Sequence, residues 1–186
     1  MDSFNYLSVL LSIVLGLAIM QVLQGVRGLI LTRAKVKLFL PTLIWVGLAL
    51  LIAIQGWWAS FSMRTHASWT FAALLVIMMQ AISVYMVAAL VLPDVGGEKV
   101  VDLREHYFAH RPWFFGALIS AILFSLAKDL VLYGHLPSPI DTDFQLIFFL
   151  AAIVAAITRK EWFHQLLGPA IVLLFLVYIA LLFARL

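Results

Sequence analysis

Residues 69–92 read WTFAALLVIMMQAISVYMVAALVL, a stretch with no charged side chain. A helix rising about 1.5 Å per residue over that length covers the roughly 30 Å hydrocarbon core of a bilayer. Only Gln80 and Ser83 interrupt the apolar run near its middle, and the alternation of a half-buried strand is missing. The segment Pro93-Asp94-Val95-Gly96-Gly97 follows and stops the helix. This stretch therefore reads as a membrane span, and the rest of the chain repeats the pattern.

Five further stretches qualify, at 4–31, 38–63, 112–133, 140–158 and 162–185. Pro41 falls in the first turn of its span, where a missing N–H does little harm. Gly134 stands where a helix C-cap is needed. The fifth stretch is the shortest. No Gly or Pro separates it from the sixth before Gly168, so the two predict a tight hairpin, with one bent re-entrant element as the alternative. The expected architecture is an all-α integral membrane protein, a compact bundle of about six transmembrane helices in which residues 1–186 form a single domain. Composition agrees: 65% of the 186 residues are hydrophobic and 11% charged, with a mean hydropathy of +1.11. A soluble domain carries about 25% charged residues. Met1-Asp2-Ser3 lacks the basic start of a cleavable signal, so the first span is expected to stay.

Orientation is read from the basic residues. Arg27, Arg33, Lys35, Lys37, Lys99, Arg104, Arg111, Arg159 and Lys160 fall at one end of the spans, and Arg64, Lys128 and Arg185 at the other. Nine against three places the first end in the cytoplasm and both termini on the opposite side, in a bacterial cytoplasmic (inner) membrane by expectation. Trp57, Trp58, Trp69 and Tyr133 are expected at the outer interface, and Trp45, Tyr107, Trp113 and Trp162 at the inner one. Charge spent on topology is no nucleic-acid footprint, and no such partner is expected.

The loop at 94–111 is the only sizeable one. Asp102-Leu103-Arg104-Glu105 resembles a capping box with Asp in place of Ser or Thr, so a short cytoplasmic interfacial helix is expected to start there. Leu103, Tyr107 and Phe108 would lie on the membrane, with Pro112 dividing this helix from the fourth span. Three spans lie on each side of the loop, although the halves share no sequence match.

Small residues recur at helical spacing at Ser8, Ser12 and Gly16, at Ala117, Ala121 and Ser125, and at Ala151/Ala155 beside Ala152/Ala156. Such stripes let helix backbones approach closely, so the first, fourth and fifth spans are expected to form the packed centre, or else to offer a subunit interface. A polar stripe of Asn5, Ser8, Ser12, Gly16, Gln24 and Arg27, with Gln21 adjacent, runs along the first span. Polar groups in hydrocarbon need partners, so this face should look into protein, where Gln55, Gln80 and Ser83 could meet it, or into a cavity open to the cytoplasm. Snorkelling of Arg27 to the headgroups is the simpler alternative.

Lys128-Asp129 is the only charged pair inside a span. Asp129 continues the Ala117/Ala121/Ser125 stripe towards neighbouring helices, while Lys128 falls on another face. Gly168-Pro169 predicts a kink in the sixth span, with His164 just before it. His106 and His110 are four apart and could share a metal, but interfacial histidines without one are the expected reading. Zero cysteines exclude disulfides, thiolate metal sites and iron–sulfur clusters. No nucleophile-plus-base grouping or Gly-rich phosphate loop occurs, and no mid-span histidine pair could ligate haem.

The expected function is therefore non-catalytic, with no cofactor: a homo-oligomer or an accessory subunit of a larger membrane complex, with lipid, other copies or other membrane subunits as partners. A small channel or carrier for an ion or apolar solute is the first alternative. A membrane enzyme or cofactor binder using His106 and His110 is the second.

Overall fold

A computed structural model describes residues 3–66, 68–94 and 100–184. Val95, Gly96, Gly97, Lys99 and Arg185 lie outside the described residues. Six helices account for nearly all of the rest: α1 (Ser3–Leu31), α2 (Leu40–Ala59), α3 (Phe71–Leu90), α4 (Leu103–Tyr133), α5 (Pro139–Ile157) and α6 (Glu161–Leu182). All six are long and apolar enough to cross a membrane. Helices α5 and α6 are separate, of 19 and 22 residues, each long and apolar enough to cross a membrane alone.

The helix boundaries follow local chemistry. Thr70 caps α3 by accepting from the Ala73 N–H at 3.1 Å, and Ser138 caps α5 by accepting from Asp141 N–H at 3.3 Å. Gly134 closes α4 with φ at +74°, a left-handed conformation that suits glycine. Asp102 caps α4, its Oδ1 accepting from the N–H groups of Arg104 and Glu105 at 3.0 and 3.2 Å. The expected helix start is therefore present, but the expected break is not. Helix α4 runs through Pro112 as one 31-residue element, so no separate interfacial helix forms. The reason is burial on both sides of the proline. Leu103, Tyr107 and Arg111 before it and Phe114 and Phe115 after it share one inward face. One lost N–H bond does not outweigh that continuous packing. Leu103 and Tyr107 accordingly point into the bundle rather than lying on a surface.

Each helix packs on the next around a closed ring in the order α1, α2, α6, α5, α4, α3, with α3 on α4 the most extensive contact and α2 also touching α3. Helix α1 thus rests on α2 and α3 rather than on α4 or α5, which corrects the expected packed centre. Its inward face is Phe4, Leu7, Leu11, Leu15, Ala18 and Val22. Ser12 and Gly16 face outward, and nothing lies within 4 Å of a Cβ built on Gly16. Serine and glycine do not compel an inward face, because a helical serine can satisfy itself on its own backbone. Ser8 does so, donating to the Asn5 carbonyl at 2.9 Å.

At one end of the ring lie Arg27, Arg33, Lys35, Lys37, Arg104, Arg111, Arg159 and Lys160, hereafter the basic end. Here two connections join in a two-residue parallel pair, β1 (Val36–Lys37) with β2 (Val101–Asp102). Lys37 Nζ lies 3.6 Å from Asp102 Oδ2. A hydrogen bond from Glu105 N–H above all, aided by Arg104 N–H and Lys37, holds the Asp102 carboxyl below its ordinary 3.8, against partial desolvation. A depressed folded-state value means that the ionised cap stabilises above 3.8 and that this contribution fades as pH falls through the folded-state value. Asp102→Asn should therefore melt below the parent at neutral pH, with the gap closing on acidification below 3.8. A gap independent of pH would show that the charge of this cap does not matter.

Candidate functional site: a chamber inside the helix ring

The ring is not filled. A cavity of about 420 Å3 begins at the end opposite the basic one, bordered there by the exposed Ser62 and His135. It continues into an apolar pocket of about 140 Å3 between α2, α4, α5 and α6. The two parts share the walls formed by Gln55, Gln80, Ser125, Gln145 and Tyr178. Ser125 stands eight residues before the end of α4, so the shared wall lies about 12 Å below that end.

The small residues explain why the centre is hollow. Ala121 and Ser125 of α4 and Ala151 and Ala152 of α5 line the apolar pocket, where larger side chains would occupy it. Helix α6 comes close to the ring at Gly168 instead, where a built Cβ would sit 3.2 and 3.3 Å from Ile44 Cγ2 and Cδ1 of α2. Pro169 lies inside an unbroken α6 with its side exposed. Gly168 is thus a point of contact between α2 and α6.

Polar groups gather at the mouth. Lys128 Nζ and Asp129 Oδ1 are 3.8 Å apart, with side chains 20% and 14% exposed, and both line the chamber. Asp141, in the first turn of α5, has its Oδ1 accept from Gln145 Nε2 and from Tyr178 Oη, each at 2.9 Å. The structure therefore brings Gln55, Gln80, Lys128 and Asp129 together, from three helices. It does not bring the α1 stripe to them. Asn5, Gln24 and Arg27 are exposed, and the Ser12 hydroxyl accepts from Trp57 Nε1 at 3.1 Å. Gln21 and Gln24 border a separate cleft of about 150 Å3 between α1 and α3 at the basic end. The main cavity opens at the end opposite the one expected from that stripe. Asp141 escaped the sequence reading because an acid is ordinary in the first turn of a helix, and Gln145 and Tyr178 because each stands alone in an apolar helix. The spacing Asp141 to Gln145, one turn, was the available signal.

Towards the basic end the chamber is stoppered by aromatics. The Trp45 ring meets those of Phe114 and Phe115 edge-on at 5.2 Å from each. Trp45 and Tyr107 are buried, so neither is an interface anchor, whereas Trp57, Trp58, Trp113 and Trp162 are exposed. Beneath the stopper lies a polar network. His164 is fully buried, its Nε2 lies 2.9 Å from the Thr158 carbonyl and its Nδ1 2.8 Å from Tyr107 Oη. A carbonyl only accepts, so Nε2 carries the proton in the neutral ring and Tyr107 donates to Nδ1. Arg111, also buried, donates from Nε to the Ala156 carbonyl at 3.1 Å, placing its charge at the carbonyl end of α5.

His106 and His110 stack at 4.3 Å on the flank of α4. His106 Nε2 lies 3.3 Å from the Leu90 carbonyl, and His110 Nδ1 lies 3.0 Å from the His106 carbonyl. Among the described residues no group of three or more His, Cys, Asp or Glu side chains is placed to hold a metal ion. Comparison with protein families, curated proteins and solved structures finds no match to this chain.

Proposed function

We propose that the protein is a membrane-embedded binder of a small solute, of the channel or carrier class, with its chamber facing the non-cytoplasmic side. The observation that carries this reading is the chamber itself. It is polar at the mouth, apolar below and stoppered by Trp45, Phe114 and Phe115. Ligand sites run from about 300 to 1,000 Å3, so the volume is of the right order. Charged side chains facing a bundle interior are candidates for a solute path by default. The stopper leaves the site open at one end, as a carrier requires in one of its states. The basic end is assigned to the cytoplasm on its eight described cations against Arg64 and Lys128 opposite.

The second reading, a homo-oligomer or accessory subunit, draws on the outward-facing Ser12 and Gly16, which could admit a helix of a neighbouring subunit. Two measurements separate the readings. In a chain without cysteine, Lys35→Cys and Ser125→Cys report orientation and chamber access. A membrane-impermeant thiol reagent should reach position 125 only from outside and position 35 only from the cytoplasm. Flux of small organic cations into proteoliposomes should be present for the parent and strongly reduced for Asp129→Asn, with assembly unchanged. No flux by either protein, together with an unreactive position 125, would leave the subunit reading in place of ours.

A further inference from the structure

We infer that the chamber takes an amphipathic amine, its ammonium at Gln145, Asp141 and Asp129 and a benzene-sized apolar group in the pocket beneath. The inference deepens the solute-binding reading and rests on it.

The charge balance at the mouth is the first support. Lys128 contributes one positive charge and Asp129 and Asp141 one negative charge each, leaving a net of minus one among the lining groups with His135 neutral. Lys128 reaches Asp129 only at 3.8 Å, longer than a hydrogen bond. Both donors to Asp141 fall on Oδ1, and no described hydrogen bond involves Oδ2. Carboxylate oxygens are thus left with acceptor capacity unused.

Gln145 gives the second, independent support. It is 6% exposed, and its Oε1 has no partner among the described residues. Its amide orientation is fixed by chemistry, because a carboxylate can only accept, so Nε2 must face Asp141 and Oε1 turns away. A buried acceptor without a donor is costly, and such groups in a native fold ask for an unseen partner. Gln145 lies on the wall shared by the polar and apolar parts, at the height where a donor attached to an apolar body would sit. An ammonium offers three donors and one positive charge, answering Oε1 and the net charge together.

The apolar part sets the rest of the ligand. Its walls include Phe148, Phe175, Ile171 and Leu118, and its volume is about 140 Å3. An apolar cavity of about 150 Å3 takes up benzene. An aryl or similarly sized alkyl group therefore fits, whereas a bare metal cation would leave the pocket unused.

The test uses the full chain in mild detergent at neutral pH, with binding measured by calorimetry. The probes are 2-phenylethylamine, its neutral counterpart 2-phenylethanol, and sodium chloride. The amine should bind at least about tenfold more tightly than the alcohol, as expected for a charge-assisted hydrogen bond in a desolvated site. Gln145→Met and Asp129→Asn should each remove most of that preference while leaving the alcohol unchanged. Equal binding of amine and alcohol would overturn the ammonium site and keep the chamber. Sodium competing as well as the amine would overturn the amine class. No binding of either organic probe would overturn the inference, and the reactivity of Ser125→Cys then shows whether the chamber reading falls with it.

Discussion

Replacing His164 by leucine is expected to lower stability by about 2–4 kcal/mol, among the largest effects of any single substitution in the bundle. The side chain has no exposed surface and uses both ring nitrogens. Leucine is of similar bulk but leaves the Tyr107 hydroxyl and the Thr158 carbonyl without partners. Each abandoned buried group costs about 1–3 kcal/mol. Thr158 caps α5, so the turn into α6 should loosen as well. His164→Gln can offer a donor and an acceptor and should recover part of the loss. Tyr107→Phe should cost less than His164→Leu, because the ring stays packed against Phe39 and Phe108. Thermal unfolding in detergent measures all three. A parent-like melting curve for His164→Leu would mean that the network under the stopper contributes nothing.

The second large effect belongs to Gly168→Leu, with an expected cost of about 1–3 kcal/mol from overpacking. Ile44 is β-branched and stiff, and even a methyl group at position 168 would press on its Cγ2 and Cδ1. The substitution should push α6 away from α2 and open the ring on that side. Gly16→Leu is the matched control, since nothing lies near Gly16, and it should melt like the parent. Ala121→Leu should not destabilise either, because its side chain extends into the chamber. It should instead weaken binding of the aryl probe. A Gly16 variant as damaged as the Gly168 variant would contradict the ring order.

The six helices were legible in the sequence because length and hydropathy settle a span without knowledge of its neighbours. Caps were legible for the same local reason, as at Asp102 and Gly134. What escaped was anything depending on which helix faces which. The α1 stripe of Ser12, Gly16 and Gln24 looked like an inward face because polarity in hydrocarbon normally seeks partners. Leucines at positions 7, 11 and 15 hold the inward face instead, and in a lipid setting leucine is equally at home on either side. Pro112 looked like a divider because the inward stripe continuing across it comes from residues on both sides of a presumed boundary. The chamber was half legible: Gln55, Gln80 and Asp129 stood out as polar residues within spans. Asp141 did not, because an acid is ordinary in the first turn of a helix, and neither did Gln145 or Tyr178, single polar groups whose partners come from the fold. The β1–β2 pair left no signal at all, being too short for any periodicity.

The order of the ring has a consequence for how the chain is made. During synthesis from the N-terminus, α1, α2 and α3 can associate as soon as each has emerged, since they are neighbours in space as well as in sequence. The face of α2 that carries Ile44 has no permanent partner until α6 arrives. A nascent chain therefore holds an open arc with an unfilled seat, and its interior stays accessible to lipid or to a chaperone until α6 has been made. Closure couples α2 to α6 across the three helices between them, a contact of high sequence separation whose loop must close before its packing is gained.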